Sequence, residues 1–190
     1  GLADKFVVMY SGNISPVHPI DTLLEAIATF KGNDRYVFVF IGGKQARQGI
    51  ESFASSRGLS NVLTLSYVPL EETRYSLSAA DLHVVTMGDN MVGIVHPCKV
   101  YGIMSVGRPF LAIGPKDSHL GEIQTQCMAG WQVEHGDVAG VVKAIKEADS
   151  MQNKLAEMGA RGRRLIEENY SRQTLCSRFC DQFDFIQIAN

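Results

Sequence analysis

Long hydrophobic runs are missing from this 190-residue chain. None reaches the roughly 18 apolar residues that a membrane-crossing helix needs, and the N-terminus lacks the basic, apolar, small-residue succession of an export signal. A soluble, unexported domain is expected. Cysteine is scarce: Cys98, Cys127, Cys176 and Cys180 form no CxxC pair and have no histidine-rich partner cluster, which excludes a disulfide scaffold and argues against a metal site. They read as reduced, mostly buried thiols. No charge dominates either, because 18 Lys and Arg stand against 20 Asp and Glu, for a net −2. This leaves no basic footprint for nonspecific nucleic-acid binding, so any polyanion must be met locally. The dinucleotide fingerprint GxGxxG is absent after the first strand, where Gly12-Asn13-Ile14-Ser15-Pro16-Val17 stands instead, and so is GxxxxGK[ST]. NAD enzymes and P-loop ATPases are thereby disfavoured.

What is present is the material of an ordinary folded domain, 45% hydrophobic and 20% charged. At this size roughly 70% of the unfolded chain's surface can be buried. Short β-branched runs, continuous as in strands covered on both faces, occur at 6–10, 36–41, 62–65, 82–85 and 109–113, with a weaker one at 130–133. Helical spacing fills the intervals, at about 21–31, 47–57, 71–80, 98–106, 118–128 and 138–148. Two long helices follow, at about 150–168 and 171–187, with Ser171 as an N-cap. The alternation predicts one α/β domain over residues 1–190, a Rossmann-like doubly wound parallel sheet of about six strands with helices on both faces.

Ligands in such sheets bind beyond the carboxyl ends of the strands, where strand order reverses. Four strand ends carry glycine: Ser11-Gly12-Asn13, Gly42-Gly43-Lys44, Met87-Gly88-Asp89 and Gly114-Pro115-Lys116-Asp117. Each alone reads as loop punctuation, but together they suggest backbone brought close to an anion. At the fourth crossover Pro97 fits a first helical position, so the N–H groups of Cys98, Lys99 and Val100, backed by the Lys99 ammonium, form a predicted phosphate cradle. A plain helix start with a solvated lysine is the competing reading.

With these landmarks in place, the chain resembles the C-terminal, donor-binding half of a GT-B glycosyltransferase of the group 1 (family 4, retaining) class. The residues carrying the likeness are Tyr10-Ser11-Gly12-Asn13, Asp21 to Ile27, Phe38 to Gly43, Asn61-Val62 leading to Tyr67-Val68-Pro69, Ser78 to Leu82, Lys99 with Val106-Gly107-Arg108-Pro109, and Gly130 to Val133 before Gly136-Asp137. The resemblance implies a donor diphosphate held by Gly12, Asn13, His18, Pro97, Cys98, Lys99 and Val100, with Lys99 serving catalysis. It implies a nucleoside held by Gly42, Gly43, Lys44, Tyr67 and Val68, and sugar contacts from Asp89, Asp117 and Glu122. Asn13 and His18 stand where the family supplies Arg and Lys. Its two glutamates, eight apart, fall at Ile94 and Gly102, so the ribose grip is missing. No DxD sequence occurs, in keeping with a metal-independent reaction that needs no cofactor beyond the nucleotide-sugar substrate.

The chain starts at Gly1 without Met, close to its first strand, and reads as a piece excised from a two-domain enzyme. The fragment is expected to bind donor but not to turn over without its N-terminal acceptor-binding half. The resemblance implies glycosyl transfer to a saccharide or lipid-linked acceptor in polysaccharide or glycoconjugate assembly. The whole enzyme is expected in the cytoplasm, with peripheral contact at the inner membrane face. A non-catalytic GT-B-like interaction module and a sugar-nucleotide epimerase are the alternatives. Other features have plainer readings: His83 and His135 as satisfied strand-end or loop residues, and His96 beside Cys98 as no nucleophile pair. Cys176 and Cys180 read as core packing beside Leu175, Phe179 and Phe183. The Phe179, Phe183 and Ile186 stripe, with Phe185 and Ile188 beside it, suits burial on this domain's sheet or docking on the N-terminal half equally well.

Overall fold

The sheet forms where the β-branched runs predict it. In the computed structural model, which describes the backbone of residues 1–188 and the side chains of 1–182, the strands are β1 (Phe6–Ser11), β2 (Tyr36–Ile41), β3 (Val62–Leu65), β4 (Leu82–Thr86), β5 (Phe110–Ile113) and β6 (Gly130–Val133). All pair in parallel in the order β3-β2-β1-β4-β5-β6, so strand order reverses between β1 and β4. The register sets Tyr10 beside Phe40 and Val8 beside Leu82.

The crossovers are α1 (Asp21–Ala28), α2 (Lys44–Arg57), α3 (Thr73–Ser78, after a short 3-10 turn), α4 (Lys99–Ser105), α5 (His119–Cys127) and α6 (Val138–Ser150). Then come α7 (Gln152–Leu165), a π-helical turn at Ile166–Tyr170, and α8 (Arg172–Ile188). Alternation along each strand sends side chains to both faces of the sheet. On one face Val8, Tyr10, Phe38 and Phe40 cluster with Leu23 and Ile27 of α1, Ile50 of α2, and Val141 and Ile145 of α6. On the other Val85, Phe110 and Ala112 cluster with Val100, Ile103 and Met104 of α4 and Leu120 and Ile123 of α5. The continuous runs are buried throughout in β1, β2, β4 and β5. β3 instead alternates half-buried and exposed residues, because it is an edge strand with a partner on one side only.

Side-chain caps appear where the sequence supplies them: Ser118 accepts from Gly121 N–H at 3.2 Å, Asp137 from Gly140 N–H at 2.8 Å, and Ser171 from Thr174 N–H at 3.1 Å. Glycine also decides a packing distance. A Cβ on Gly159 of α7 would collide with the carbonyl oxygen of Gly107, so only glycine lets α7 lie against the turn that ends α4.

Two expectations about the cysteines are corrected. Cys176 and Cys180 are exposed rather than packed in a core, and Cys98 is exposed too, leaving Cys127 as the buried thiol. The reason is that α8 packs back on the π-helical turn and leaves Phe179 64% exposed. The rest of the expected stripe, Phe183, Phe185, Ile186 and Ile188, lies outside the described side chains. Among the described residues no helix is long and apolar enough to cross a membrane.

Candidate functional site

The reversal point between β1 and β4 is built around one lysine. Lys99 opens α4 and stretches across Gly12 at the end of β1, where its ammonium donates to the Tyr10 hydroxyl at 2.7 Å and to the Asn13 carbonyl at 2.9 Å. It also stands 4.6 Å from the centroid of the Tyr10 ring, a cation–π contact. Gly12 makes this reach sterically feasible. Its φ is +135°, and a Cβ there would stand 2.5 Å from Lys99 Cε. No carboxylate pairs with Lys99 among the described residues. Burial therefore acts on it uncompensated and pulls its pKa down to about 8. The Tyr10 hydroxyl, pushed up to about 12 by burial, stays a neutral phenol and donates to Asn13 O at 2.9 Å.

His18, seven residues after β1, comes to the same place. Its Nδ1 lies 2.9 Å from the Thr86 carbonyl at the end of β4, a contact that puts the proton on Nδ1 and leaves a lone pair on Nε2. Burial, and then the Lys99 charge, hold its pKa below the ordinary value. The glycine loop after β2 abuts this arrangement: Gly12 N–H donates to Ile41 O at 2.9 Å, and a Cβ on Gly42 would lie 3.3 Å from Gly12 O. Gly43 precedes α2 without a side-chain cap, and Lys44 is exposed. Tyr67, 55% exposed beyond β3, is close enough to raise the Tyr10 pKa electrostatically, and Val68 follows it half-buried.

The expected cradle at Pro97 is changed. Helix α4 starts at Lys99, not Pro97, and the preceding turn closes on itself: Cys98 N–H donates to His96 O at 2.8 Å and Val100 N–H to Pro97 O at 3.2 Å. Pro97 brings no N–H of its own, and two of the three predicted donors are engaged within the turn. The Val100 side chain is fully buried. The cationic character of this end of α4 rests on the Lys99 side chain.

Asp89 lies in a neighbouring crevice of about 330 Å3, lined with Pro16, Asp21, Asn90 and His135 among others. Asp117 is exposed before α5, whose N-cap is Ser118. Glu122 is engaged within α5, its Oε2 3.4 Å from His119 Nδ1. His135 behaves as expected, its Nε2–H donating to the Met87 carbonyl at 2.8 Å, whereas His83 is satisfied only in part: its Nε2–H donates to the Leu77 carbonyl at 2.8 Å, and its buried Nδ1 has no partner among the described residues. Gly102 faces α3, where a Cβ would touch Leu77 Cδ1 at 3.4 Å, and Ile94 is 76% exposed. One residue escapes the sequence reading: Arg47, in the first turn of α2, has a buried Nε without a partner. Its spacing four residues after Gly43 was the available signal.

The model of the family described as Glycosyl transferases group 1 matches residues 2–165. The chain is 26% identical over 175 residues to a probable glycosyltransferase, WbjE, of Pseudomonas aeruginosa, covering 92% of this chain and 43% of the relative. It is 25% identical over 146 residues to a putative colanic acid biosynthesis glycosyl transferase, WcaI, of Escherichia coli K12, covering 76% of this chain and 36% of the relative. In fold it is similar to HepE of Anabaena, solved with UDP-glucose: the TM-score is 0.78 at 17% identity, over 96% of this chain and 50% of that one. The chain thus spans half or less of the length of these relatives. With a half-buried lysine at the reversal point of a parallel sheet in this strand order, the family match over most of the length establishes that the chain belongs to the group 1 glycosyltransferases.

Proposed function

We propose that this domain binds the nucleotide-sugar donor of a retaining, metal-independent glycosyltransferase whose acceptor half lies outside the chain. The observation that carries this reading is the Lys99 ammonium, half-buried at the sheet's reversal point without a carboxylate partner among the described residues. A buried charge is stable when paired, and a diphosphate supplies the missing counter-charge.

In the proposed mechanism negative charge develops on the diphosphate as it leaves the anomeric carbon. Lys99, prepositioned by Tyr10 and Asn13, stabilises that charge without reorganisation. His18 contributes by taking up a proton at Nε2 once the phosphate neutralises the repulsion from Lys99. The backbone of Gly12 and Asn13 and the turn Pro97-Cys98 border the diphosphate. The uncapped start of α2 at Gly43-Lys44, with Arg47, and the loop at Tyr67-Val68 receive the nucleoside. Asp89, from the crevice beside His18's loop, and Asp117 reach toward the sugar. UDP heads the donor panel because HepE was solved with UDP-glucose, and a polysaccharide acceptor is favoured by the name of WcaI. Four free cysteines, three of them exposed, fit a reducing cytoplasm.

The test is calorimetric titration with UDP, GDP and ADP and their sugars. Saturable binding of one series, weakened in Lys99→Ala, is expected; no binding at millimolar concentration by any of them would sink the donor site. A second reading, a non-catalytic interaction module, is favoured by Ile94 and Gly102, which leave this crossover without the two carboxylates. Glycosyl transfer by the complete parent protein would exclude it.

A further inference from the structure

On the other flank of α4 a second polar cluster stands apart from Lys99. Tyr101 is two residues on from Lys99, roughly 200° around the helix, and its hydroxyl lies 2.6 Å from His96 Nε2 and 2.8 Å from His119 Nε2. The His96 and His119 rings are 4.1 Å apart between centroids, Tyr101 stacks on His96 at 5.3 Å, and Tyr170 of the π-helical turn tilts against Tyr101 at 5.2 Å. Together with Leu175 these four side chains line a cavity of about 330 Å3, a size within the range of small-molecule sites.

The hydrogen-bond order follows from counting protons. Glu122 stands 3.4 Å from His119 Nδ1 and puts that ring's proton there. His119 Nε2 then accepts from the Tyr101 hydroxyl, and the phenolic oxygen accepts from His96 Nε2–H. His96 Nδ1 is left with a lone pair and has no partner among the described residues. Burial, and then His119, hold the His96 pKa below its usual value, which keeps this ring neutral. The cavity therefore offers flat aromatic walls, an unpaired neutral acceptor and no free charge of its own.

We infer that this cavity is a binding site for a hydroxylated sugar ring, whose C–H face packs on Tyr101 and Tyr170 and one of whose hydroxyls donates to His96. A neutral, polyhydroxylated ring matches the lining better than an anion, which finds no cation there, or a purely apolar ligand, which leaves the imidazole edge unpaired. The inference rests on the glycosyltransferase reading for its choice of ligand, and two sources supply such a ring: the acceptor saccharide and the glycosyl group of the donor.

The first arm of the test needs no nucleotide. The chain, with its histidine rings isotope-labelled, is titrated with common hexoses, 6-deoxyhexoses, N-acetylhexosamines and their disaccharides while the imidazole signals are followed by NMR. Saturable shifts of His96 and His119 are expected with at least one of them, and His96→Ala and Tyr101→Phe should each raise the dissociation constant about tenfold. His96 is exposed, so its truncation leaves the core intact; a thermal melt verifies this. In the second arm Tyr170→Ala is compared with the parent for UDP and for UDP-sugars by calorimetry. Selective weakening of a UDP-sugar assigns the ring to the donor, and an effect confined to free saccharides assigns it to the acceptor. Absence of imidazole shifts in the first arm, together with equal UDP-sugar binding by parent and Tyr170→Ala, would overturn the inference. Saccharide binding without any nucleotide binding would count against the donor site alone.

Discussion

Lys99→Met separates the demands of folding from those of binding. The lysine's pKa falls from 10.5 to about 8 because the ammonium is buried without a carboxylate, which corresponds to roughly 3 kcal/mol of destabilisation of the charged form. Methionine removes that penalty and keeps the alkyl chain that lies over Gly12. It also removes the hydrogen bonds to Tyr10 and Asn13, about 1 kcal/mol each for neutral partners. The balance is a gain on the order of 1 kcal/mol, or roughly 2 to 4 °C in melting temperature for a domain of this size. The sign is checkable by pH. Between pH 8 and 10.5 the unfolded chain carries the Lys99 proton and the folded one does not, so the parent gains stability as pH rises through that window. The variant lacks this gain. Nucleotide affinity should drop on the order of 1 to 3 kcal/mol through loss of a charged phosphate contact. Thermal melts from pH 7 to 10 and calorimetric titration with UDP read both sides. A variant that melts well below its parent and binds nucleotide as tightly would refute the reasoning.

Nucleotide affinity of the parent should fall through pH 8 as Lys99 loses its proton, approaching tenfold per unit above it; titrations between pH 7 and 9, above the second phosphate ionisation, check this, and a flat profile would remove Lys99 from the site. Gly12→Ala forces the backbone out of its +135° φ and pushes against Lys99 Cε, so it should weaken nucleotide binding as severely as loss of the lysine itself, measured by the same titration. Gly159→Ala, far from the site, should leave nucleotide affinity unchanged but lower the unfolding free energy measured in urea by about 1 to 3 kcal/mol, since its Cβ meets backbone at Gly107. His83 is wholly buried, and its pKa is pulled down to about 4, chiefly by desolvation; the unfolded chain binds that proton first, so stability should fall by about 2 kcal/mol between pH 7 and 5. Urea unfolding at the two pH values, with His83→Met flattening the difference, tests it.

The sheet was legible because its strands are short runs of Val, Ile and Phe that have one way to be buried twice, between helices, and the strand–helix alternation then leaves few topologies. Lys99 was legible as a residue but not as an arrangement. Its sequence neighbours Pro97 and Cys98 suggested a cradle of N–H groups, whereas its charge is presented through residues 86 to 89 positions away, Asn13 and Tyr10. Cys176 and Cys180 misled for a related reason: an apolar helical face shows what a helix is able to bury, not whether anything covers it.

Local sequence determined what needs only local energetics: the strands, the helix caps at Ser118, Asp137 and Ser171, and the glycines at strand ends. Tertiary structure alone decided which of those ends meet, because parallel pairing of β1 with β4 brings Gly12, His18 and Lys99 to one point. It likewise decided that α4 carries a half-buried cation on one flank and a bridged pair of imidazoles on the other. Burial sets the proton affinities of those groups, and burial belongs to the assembled fold, not to any stretch of the chain.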